Sequence, residues 1–227
     1  MNFEIYQRIG SPVSVKNEMD SLLSWCKEVK SLKGNCVTKG KGVYYNFPCS
    51  FDIETTSYEV KGDKYGLMYA FVLGIDGKVF VGRTWKDFID RIGILVKVFE
   101  LNSKRILTIY VHNLAYEFQF IRKLFVWSEV FCTDERKVIY SYCKDYGIIF
   151  RCSYILSGYS LAKVGEHLQR YKVQKMVGDL DYSLRRGHTT PLTDKEWGYI
   201  YNDGLVVMAY IQEEIENNKG SILKIPR

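Results

Sequence analysis

Two carboxylates lie inside a segment whose composition is that of a buried strand. Residues 43–55 read Val-Tyr-Tyr-Asn-Phe-Pro-Cys-Ser-Phe-Asp-Ile-Glu-Thr, so Asp52 and Glu54 are two residues apart with Ile53 between them. On a strand this spacing places both carboxylates on one face and Ile53 on the other. Buried carboxylates are costly without a cation or another compensating partner. The segment therefore predicts a central strand of a sheet that carries an acidic site on one face.

Two later segments supply further carboxylates. Residues 112–117, His-Asn-Leu-Ala-Tyr-Glu, follow an apolar strand-like run and are predicted to open a helix with Glu117 in its first turn. Tyr199 and Asp203 are four residues apart on a second predicted helix, so they share one face. That helix begins with a capping box at residues 193–196 and is predicted to run to about residue 217. The chain thus offers four carboxylates in a fixed order.

This set of carboxylates suits a phosphodiesterase that uses two divalent cations. Mg²⁺ and Mn²⁺ prefer oxygen ligands. Two such ions about 3.5–4 Å apart can activate a water molecule and stabilise the leaving oxygen of a phosphodiester. Each motif also has a plain structural alternative. Asp52 and Glu54 could form a solvated strand edge, Tyr199 and Asp203 a surface pair on a helix, and Glu117 a favourable charge at a helix N-terminus.

Periodicity and turn signals divide the rest of the chain into strands and helices. Asp76-Gly77 predicts a hairpin between strands at 66–75 and 78–82. Gly204 is expected to let the last helix pass close to a strand, although glycine costs about 1 kcal/mol relative to alanine in a helix. Further strands are predicted at 105–112, 130–132, 138–142 and 148–154, and further helices at 17–29, 85–101, from about 114, and 160–171. The pattern indicates an α/β domain over residues 43–227, preceded by a variable lead-in at 1–42.

Composition narrows the class of protein. The 227 residues carry a formal net charge of +6 and a pI near 8.8, which leans only modestly toward a polyanionic partner. The 18 tyrosines, interleaved with lysines and arginines, suit stacking on the bases of a single strand, although most are expected in the core. The six cysteines form no CxxC pair, and neither a signal peptide nor an apolar run long enough to span a bilayer is recognisable. A monomer in a cytosol-like compartment is expected.

In this order, the motifs resemble the 3′–5′ exonuclease domain of family B DNA polymerases, and most closely the protein-primed branch of bacteriophages and linear plasmids. Residues 52–55 match the first exonuclease motif of that family, residues 113–117 the second, and Tyr199 with Asp203 the third. Ser160-Leu161 resembles the branch's additional single-strand-binding motif. Residues 177–182, Val-Gly-Asp-Leu-Asp-Tyr, resemble its segment between those sites. The similarity covers roughly residues 45–227.

The resemblance implies a role for each matching residue. Asp52, Glu54 and Asp203 would be metal ligands, Glu117 would hold a second metal ion, and Tyr199 would position the nucleophile. The residues that would grip the 3′ end of single-stranded DNA are Thr55, Asn113, Tyr116, Ser160 and Leu161.

The chain departs from the family's pattern at two positions. Glu117 stands where the family usually has Asp, and Val177 stands where the branch has a catalytic Lys. Lys175, two residues upstream, is the candidate for that cation, which would stabilise charge on the scissile phosphate.

The fold implied by the resemblance is an RNase H-like mixed central sheet with helices on both faces. The implied activity is removal of nucleotides from DNA 3′ ends with two divalent cations, Mg²⁺ or Mn²⁺, as the proofreading part of a phage-type DNA polymerase. The polymerase domain would be supplied in cis or in trans, and the location would be the host cytoplasm if the protein is phage-encoded. Two alternatives remain: a ribonuclease of the same class, and a single-strand DNA-binding module that has lost catalysis. The Glu117 and Val177 departures are the features that favour the second alternative.

Overall fold

The computed structural model describes residues 15–135, 137–173, 176 and 184–226. Its helices are α1 (Val15–Ser31), α2 (Trp85–Phe99), α3 (Leu114–Ile121), α4 (Tyr154–Ser157), α5 (Leu161–His167) and α6 (Asp194–Asn217). Its strands are β1 (Cys36–Lys39), β2 (Gly42–Tyr45), β3 (Cys49–Val60), β4 (Asp63–Ile75), β5 (Lys78–Gly82), β6 (Arg105–Val111), β7 (Glu129–Cys132), β8 (Val138–Cys143) and β9 (Ile148–Cys152). Short 3-10 helices cover Lys144–Tyr146 and Ile222–Lys224.

The central sheet has the strand order β5-β4-β3-β6-β9-β8-β7. Strands β3, β4 and β5 form an antiparallel meander, β6 and β9 run parallel to β3, and β8 and β7 continue antiparallel. Strand β1 pairs with β2, which runs parallel to the start of β6. The result is a mixed sheet, as the sequence predicted. Its neighbouring strands β5-β4-β3-β6-β9 follow the RNase H-like order.

Helices cover both faces of this sheet. On one face, α1, α2 and α3 enclose the largest apolar cluster, which includes the fully buried Phe51, Phe88, Ile92, Phe99 and Phe150. On the other face, α6 packs along β3 and β4, with α5 beside it. Val206 and Met208 of α6 cluster with Val164 of α5, and Ile211 of α6 clusters with Tyr110 of β6. Because α6 crosses the face that carries Asp52 and Glu54, it is the helix that can complete a site there.

Helix α1 belongs to the core even though it lies within the lead-in expected at 1–42. Its Glu18 forms an ion pair of 3.1 Å with Arg91 of α2, and both side chains are buried. Glu18 also accepts hydrogen bonds from the Val81 backbone (3.1 Å) and the Tyr201 hydroxyl (3.2 Å). Burial raises the pKa of Glu18, and Arg91 acts against that rise. The pair therefore ties α1 to α2, β5 and α6.

Several predicted boundaries were wrong. The strand expected at 43–55 is divided into β2 and β3 because the chain leaves the sheet at residues 46–48, where Pro48 has no N–H for a ladder. The strand expected at 148–154 ends at Cys152, and α4 follows it. The helix expected at 160–171 ends at His167, because Leu168 has an extended ψ of 129°. The hairpin at Asp76-Gly77 and the capped helix α6 are confirmed.

Candidate active site

Three carboxylates from distant parts of the chain converge on the sheet face covered by α6. Asp52 and Glu54 lie on β3, Asp203 lies on α6, and one oxygen from each lies within 4.8 Å of the others. Glu54 and Asp203 are buried, and Asp52 is half-buried. At an effective dielectric constant of 20, like charges at this separation repel by roughly 3–4 kcal/mol per pair. Such a group of oxygen ligands could hold a metal ion.

Gly204 brings Asp203 this close to β3. The Ser50 hydroxyl donates a hydrogen bond of 2.9 Å to the Gly204 carbonyl, so the α6 backbone lies directly on the strand. A Cβ at Gly204 would lie 2.8 Å from Val72 Cγ2, closer than real contacts permit. The expectation that this glycine allows close approach to a strand is confirmed.

Glu117 joins the site from α3, which follows β6, the strand on the side of β3 away from β4. Strand β3 pairs with β6 at a single register position, Ser50 opposite Tyr110, so the two strands separate beyond it. Helix α3 follows β6, and the buried Glu117 in its first turn reaches Asp52. Burial, followed by the Asp52 charge, raises the pKa of Glu117 well above its usual range. Its Oε2 atom is buried without a hydrogen-bond partner among the described residues.

The Oε2 atom of Glu117, which has no hydrogen-bond partner among the described residues, tests whether these residues fit a cation. A buried carboxylate oxygen next to further carboxylates is unfavourable in the protein alone, and it becomes a ligand when a hard cation is present. Glu117 therefore extends the group of Asp52, Glu54 and Asp203 to four carboxylates. The donor set is all oxygen, which is the chemistry that a hard cation requires.

Tyr199 lies one helical turn before Asp203 on α6 and is also buried. Both residues lie on the same side of the helix, as their spacing predicted. The capping box of Thr193 and Glu196 fixes the start of this helix, with the Thr193 side chain accepting from the Glu196 backbone and the Glu196 side chain from the Thr193 backbone. The phenol and the carboxylate thus stand on one well-anchored helix.

Thr55 and Tyr116 meet beside the carboxylates. Their hydroxyl oxygens are 2.5 Å apart, which joins β3 to α3. Tyr116 remains exposed, and its ring contacts the ring of Phe120 at 5.3 Å. Asn113 occupies the N-cap position of α3, where it is exposed with a left-handed φ of 76° and its side chain makes no capping hydrogen bond.

Ser160 and Leu161 begin α5, on the face of the sheet that α6 covers. The Ser160 hydroxyl accepts a hydrogen bond of 3.4 Å from the Lys163 backbone, and Leu161 is half-buried against the α6 clusters. His112 connects this region to α3, a role that the sequence did not reveal. Its Nε2 lies 3.1 Å from the Tyr159 carbonyl and its Nδ1 lies 3.1 Å from the Ser153 hydroxyl. Only its position next to Asn113 could have indicated that link.

The basic residues described before α6 differ in their exposure. Arg186 is buried and paired with Glu196, whereas Lys163 and Arg185 are exposed. Lys175 and residues 177–182 lie outside the described residues. Among the residues that are described, no helix is both long and apolar enough to cross a membrane.

Comparison with known proteins relates the fold to phi29 DNA polymerase. Its ternary complex with primer-template DNA and incoming nucleotide substrates matches with a TM-score of 0.57 and 18% identity, covering 74% of this chain and 31% of that chain. Its complex with single-stranded DNA matches with a TM-score of 0.55 and 17% identity, covering 76% and 32%. No protein-family model and no curated protein sequence matches the chain.

At this level of identity, the likeness is one of fold. The chain spans about a third of the length of the polymerase structures it matches. The chain therefore shares a fold with part of phi29 DNA polymerase and carries a cluster of three carboxylates that could bind a metal ion.

Proposed function

We propose that this protein is a metal-dependent 3′–5′ exonuclease that acts on the 3′ ends of single-stranded DNA. The observation that carries the proposal is the convergence of Asp52, Glu54 and Asp203 within 4.8 Å, with Glu117 in contact with Asp52. The fold likeness to phi29 DNA polymerase supports the choice of DNA as substrate. The chain would then be the proofreading part of a protein-primed, phage-type family B polymerase, with residues 43–227 as the exonuclease domain.

The residues of the site divide the work between them. Asp52, Glu54 and Asp203 hold one divalent cation, and Glu117 contributes to a second; Mg²⁺ or Mn²⁺ is proposed for both. When bound, such cations lower the pKa of water and stabilise negative charge on phosphate oxygens. Tyr199, fixed one turn from Asp203, orients the attacking water through its hydroxyl. The apolar packing around Asp203 and Glu117 limits bulk water, which strengthens every charge interaction in the site.

The residues around the carboxylates hold the DNA. Tyr116 packs against the terminal base or sugar, Thr55 fixes the Tyr116 hydroxyl, and Asn113, Ser160 and Leu161 contact the strand behind it. Lys175 is proposed to stabilise the scissile phosphate. The partner of the reaction is a DNA 3′ end delivered by a polymerase domain, in cis or in trans.

The test is digestion of a 5′-labelled single-stranded DNA with Mg²⁺ or Mn²⁺. We expect a ladder of shortening products from the unmodified chain and none in EDTA. Asp52→Ala/Glu54→Ala should abolish the ladder. The matched control Asp134→Ala/Glu135→Ala, which removes an exposed acidic pair between β7 and β8, should leave it unchanged. Absence of cleavage by the unmodified chain despite tight DNA binding would overturn the proposal, and faster digestion of a matched RNA would replace DNA by RNA as the substrate.

A further inference from the structure

The hairpin of β3 and β4 extends well beyond the carboxylates. Strand β3 runs six residues past Glu54 to Val60, paired with β4 from Asp63 onward. The outer part of this hairpin, residues 57–67, is exposed on both strands. We call these residues the arm.

Two tyrosines stack on one face of the arm. Tyr58 and Tyr65 are opposite each other in the ladder, and their rings are 5.5 Å apart with an interplanar angle of 24°. They are 36% and 46% exposed, and Leu67 beside them is 43% exposed. Aromatic rings of this size are usually covered, so two stacked and open rings next to an exposed leucine form a notable apolar surface.

The tyrosine pair lies on the same sheet face as the carboxylates. Side chains alternate along β3, so Asp52, Glu54, Thr56 and Tyr58 face one side. On this side the Thr56 hydroxyl donates a hydrogen bond of 3.5 Å to the carbonyl of Leu184, in the segment that leads to α6. The other side of the arm is occupied differently, because Phe120 of α3 fills the space that a Cβ on Gly66 would need.

The distance along the strand fits a nucleic acid held at its 3′ end. Four residues separate Glu54 from Tyr58, which is about 13 Å at 3.3 Å per residue. A stacked strand advances about 3.4 Å per nucleotide, so the tyrosines lie about four nucleotides from the site along such a strand. Lys61 and Lys64 are exposed at the end of the arm together with Glu59 and Asp63, so these four charges sum to zero. The exposed Arg185, next to Leu184, adds a cation on the side where Thr56 contacts that segment.

We propose that Tyr58 and Tyr65 form a second stacking platform that binds unpaired DNA bases from about the fourth nucleotide from the 3′ end. This inference rests on the proposed exonuclease function and adds a subsite that holds the strand while its end is in the site. The occupant is single-stranded DNA because open aromatic faces with neighbouring cations recognise bases without regard to sequence. A cross-strand tyrosine pair also stabilises a hairpin, so the test must separate that role from DNA binding.

The experiment measures binding of oligothymidylates of 3, 5, 8 and 12 nucleotides in EDTA, with Tyr58→Thr/Tyr65→Thr as the test variant. Threonine keeps the β propensity of the arm and a favourable cross-strand pair. We expect the variant to bind the 3-mer as the unmodified chain does and to lose about 5- to 100-fold in affinity for the 8-mer and 12-mer, from stacking of one or two bases. Tyr58→Phe/Tyr65→Phe should restore binding, because the ring remains.

Two controls make the outcomes decisive. Phe131→Thr removes a ring that is 55% exposed on β7, at the far edge of the sheet, and should change no affinity. Abasic spacers at the fourth and fifth positions from the 3′ end of the 8-mer should weaken binding to the unmodified chain and leave binding to the threonine variant unaffected. Equal loss on the 3-mer and the 8-mer, or no loss on either, would overturn the platform. If the unmodified chain neither binds nor digests any oligonucleotide, the proposed function itself fails.

Discussion

Replacing Gly204 by alanine tests how α6 positions Asp203. In an open helix position, Gly→Ala stabilises by about 0.5–1 kcal/mol because alanine has the higher helix propensity. At Gly204 the added methyl would lie 2.8 Å from Val72, a stiff β-branched residue that is buried in the sheet. Overpacking of this kind costs about 1–3 kcal/mol. We therefore expect a net loss of about 0–2 kcal/mol, and a melting temperature lower by up to about 8 °C.

Gly93 provides the matched control. It lies on α2, is exposed, and has no atom within 4 Å of an added Cβ. Gly93→Ala should therefore raise the melting temperature by about 2–4 °C. The two substitutions are chemically identical and both occur within helices, so opposite signs would isolate the contact with Val72.

The same substitution should reduce cleavage. An ordinary contact for a Cβ begins at 3.4 Å, so the 2.8 Å contact requires α6 or β4 to move by about 0.6 Å. Asp203 precedes Gly204 and moves with it, and a misplacement of about 1 Å can cost 100-fold in rate, so we expect a loss of about 10-fold or more. Thermal denaturation and oligonucleotide digestion would measure the two effects. If Gly204→Ala gains stability as Gly93→Ala does and cleaves at the normal rate, the proposed role of the close approach is refuted.

Three further substitutions test the buried charges. Burial raises the pKa of Asp76 to about 6, so the stability that this carboxyl contributes is fully present below pH 3.8 and is lost as the pH rises through 6. Asp76→Asn should remove this pH dependence of the free energy of unfolding. At pH 8, urea denaturation should show a gain in stability of up to about 3 kcal/mol. The pKa of Glu117 is also raised by burial, so Glu117→Gln should stabilise the protein against unfolding in EDTA at pH 8. Mg²⁺ at 100 times its Kd should raise the melting temperature of the unmodified chain by about 5–10 °C. Glu117→Gln should make that rise smaller. Glu18→Ala leaves Arg91 buried without its counter-ion and should cost about 3–5 kcal/mol, whereas a loss below 1 kcal/mol would show that α1 is not part of the cooperative unit.

Local signals predicted the parts of the fold that local interactions determine. Asp76 and Gly77 both have positive φ, 45° and 89°, as a type I′ turn requires, so the Asp-Gly pair identified the β4–β5 hairpin correctly. The capping box likewise predicted α6, because both of its reciprocal hydrogen bonds join residues three apart. The convergence of Asp52, Glu54 and Asp203 was expected because the order of their motifs resembles that of the family B exonuclease domains.

Features that depend on distant contacts could not be predicted in the same way. The reach of Glu117 to Asp52 depends on where β3 and β6 separate, and no local pattern marks that point. The packing of α1 into the core depends on an ion pair between residues 18 and 91, which are far apart in the sequence. The pair matters for stability because both side chains are buried, and the sequence does not show their burial. The left-handed conformation of Asn113 accompanies the short connection of two residues between β6 and α3, which no local pattern predicted.

The way in which α6 is anchored explains how repelling carboxylates can be held together. Besides the capping box at its start and the Ser50 hydrogen bond at its centre, α6 has a third anchor near its end. There the buried Glu213 accepts backbone hydrogen bonds from residues 169–171, with lengths of 2.6 to 3.1 Å. None of these three anchors is made by a carboxylate of the acidic cluster, so the repulsion near Asp203 is opposed by contacts of other residues. Because the geometry is set by the fold, a cation would gain its affinity from relieved repulsion, without the entropic cost of ordering its ligands.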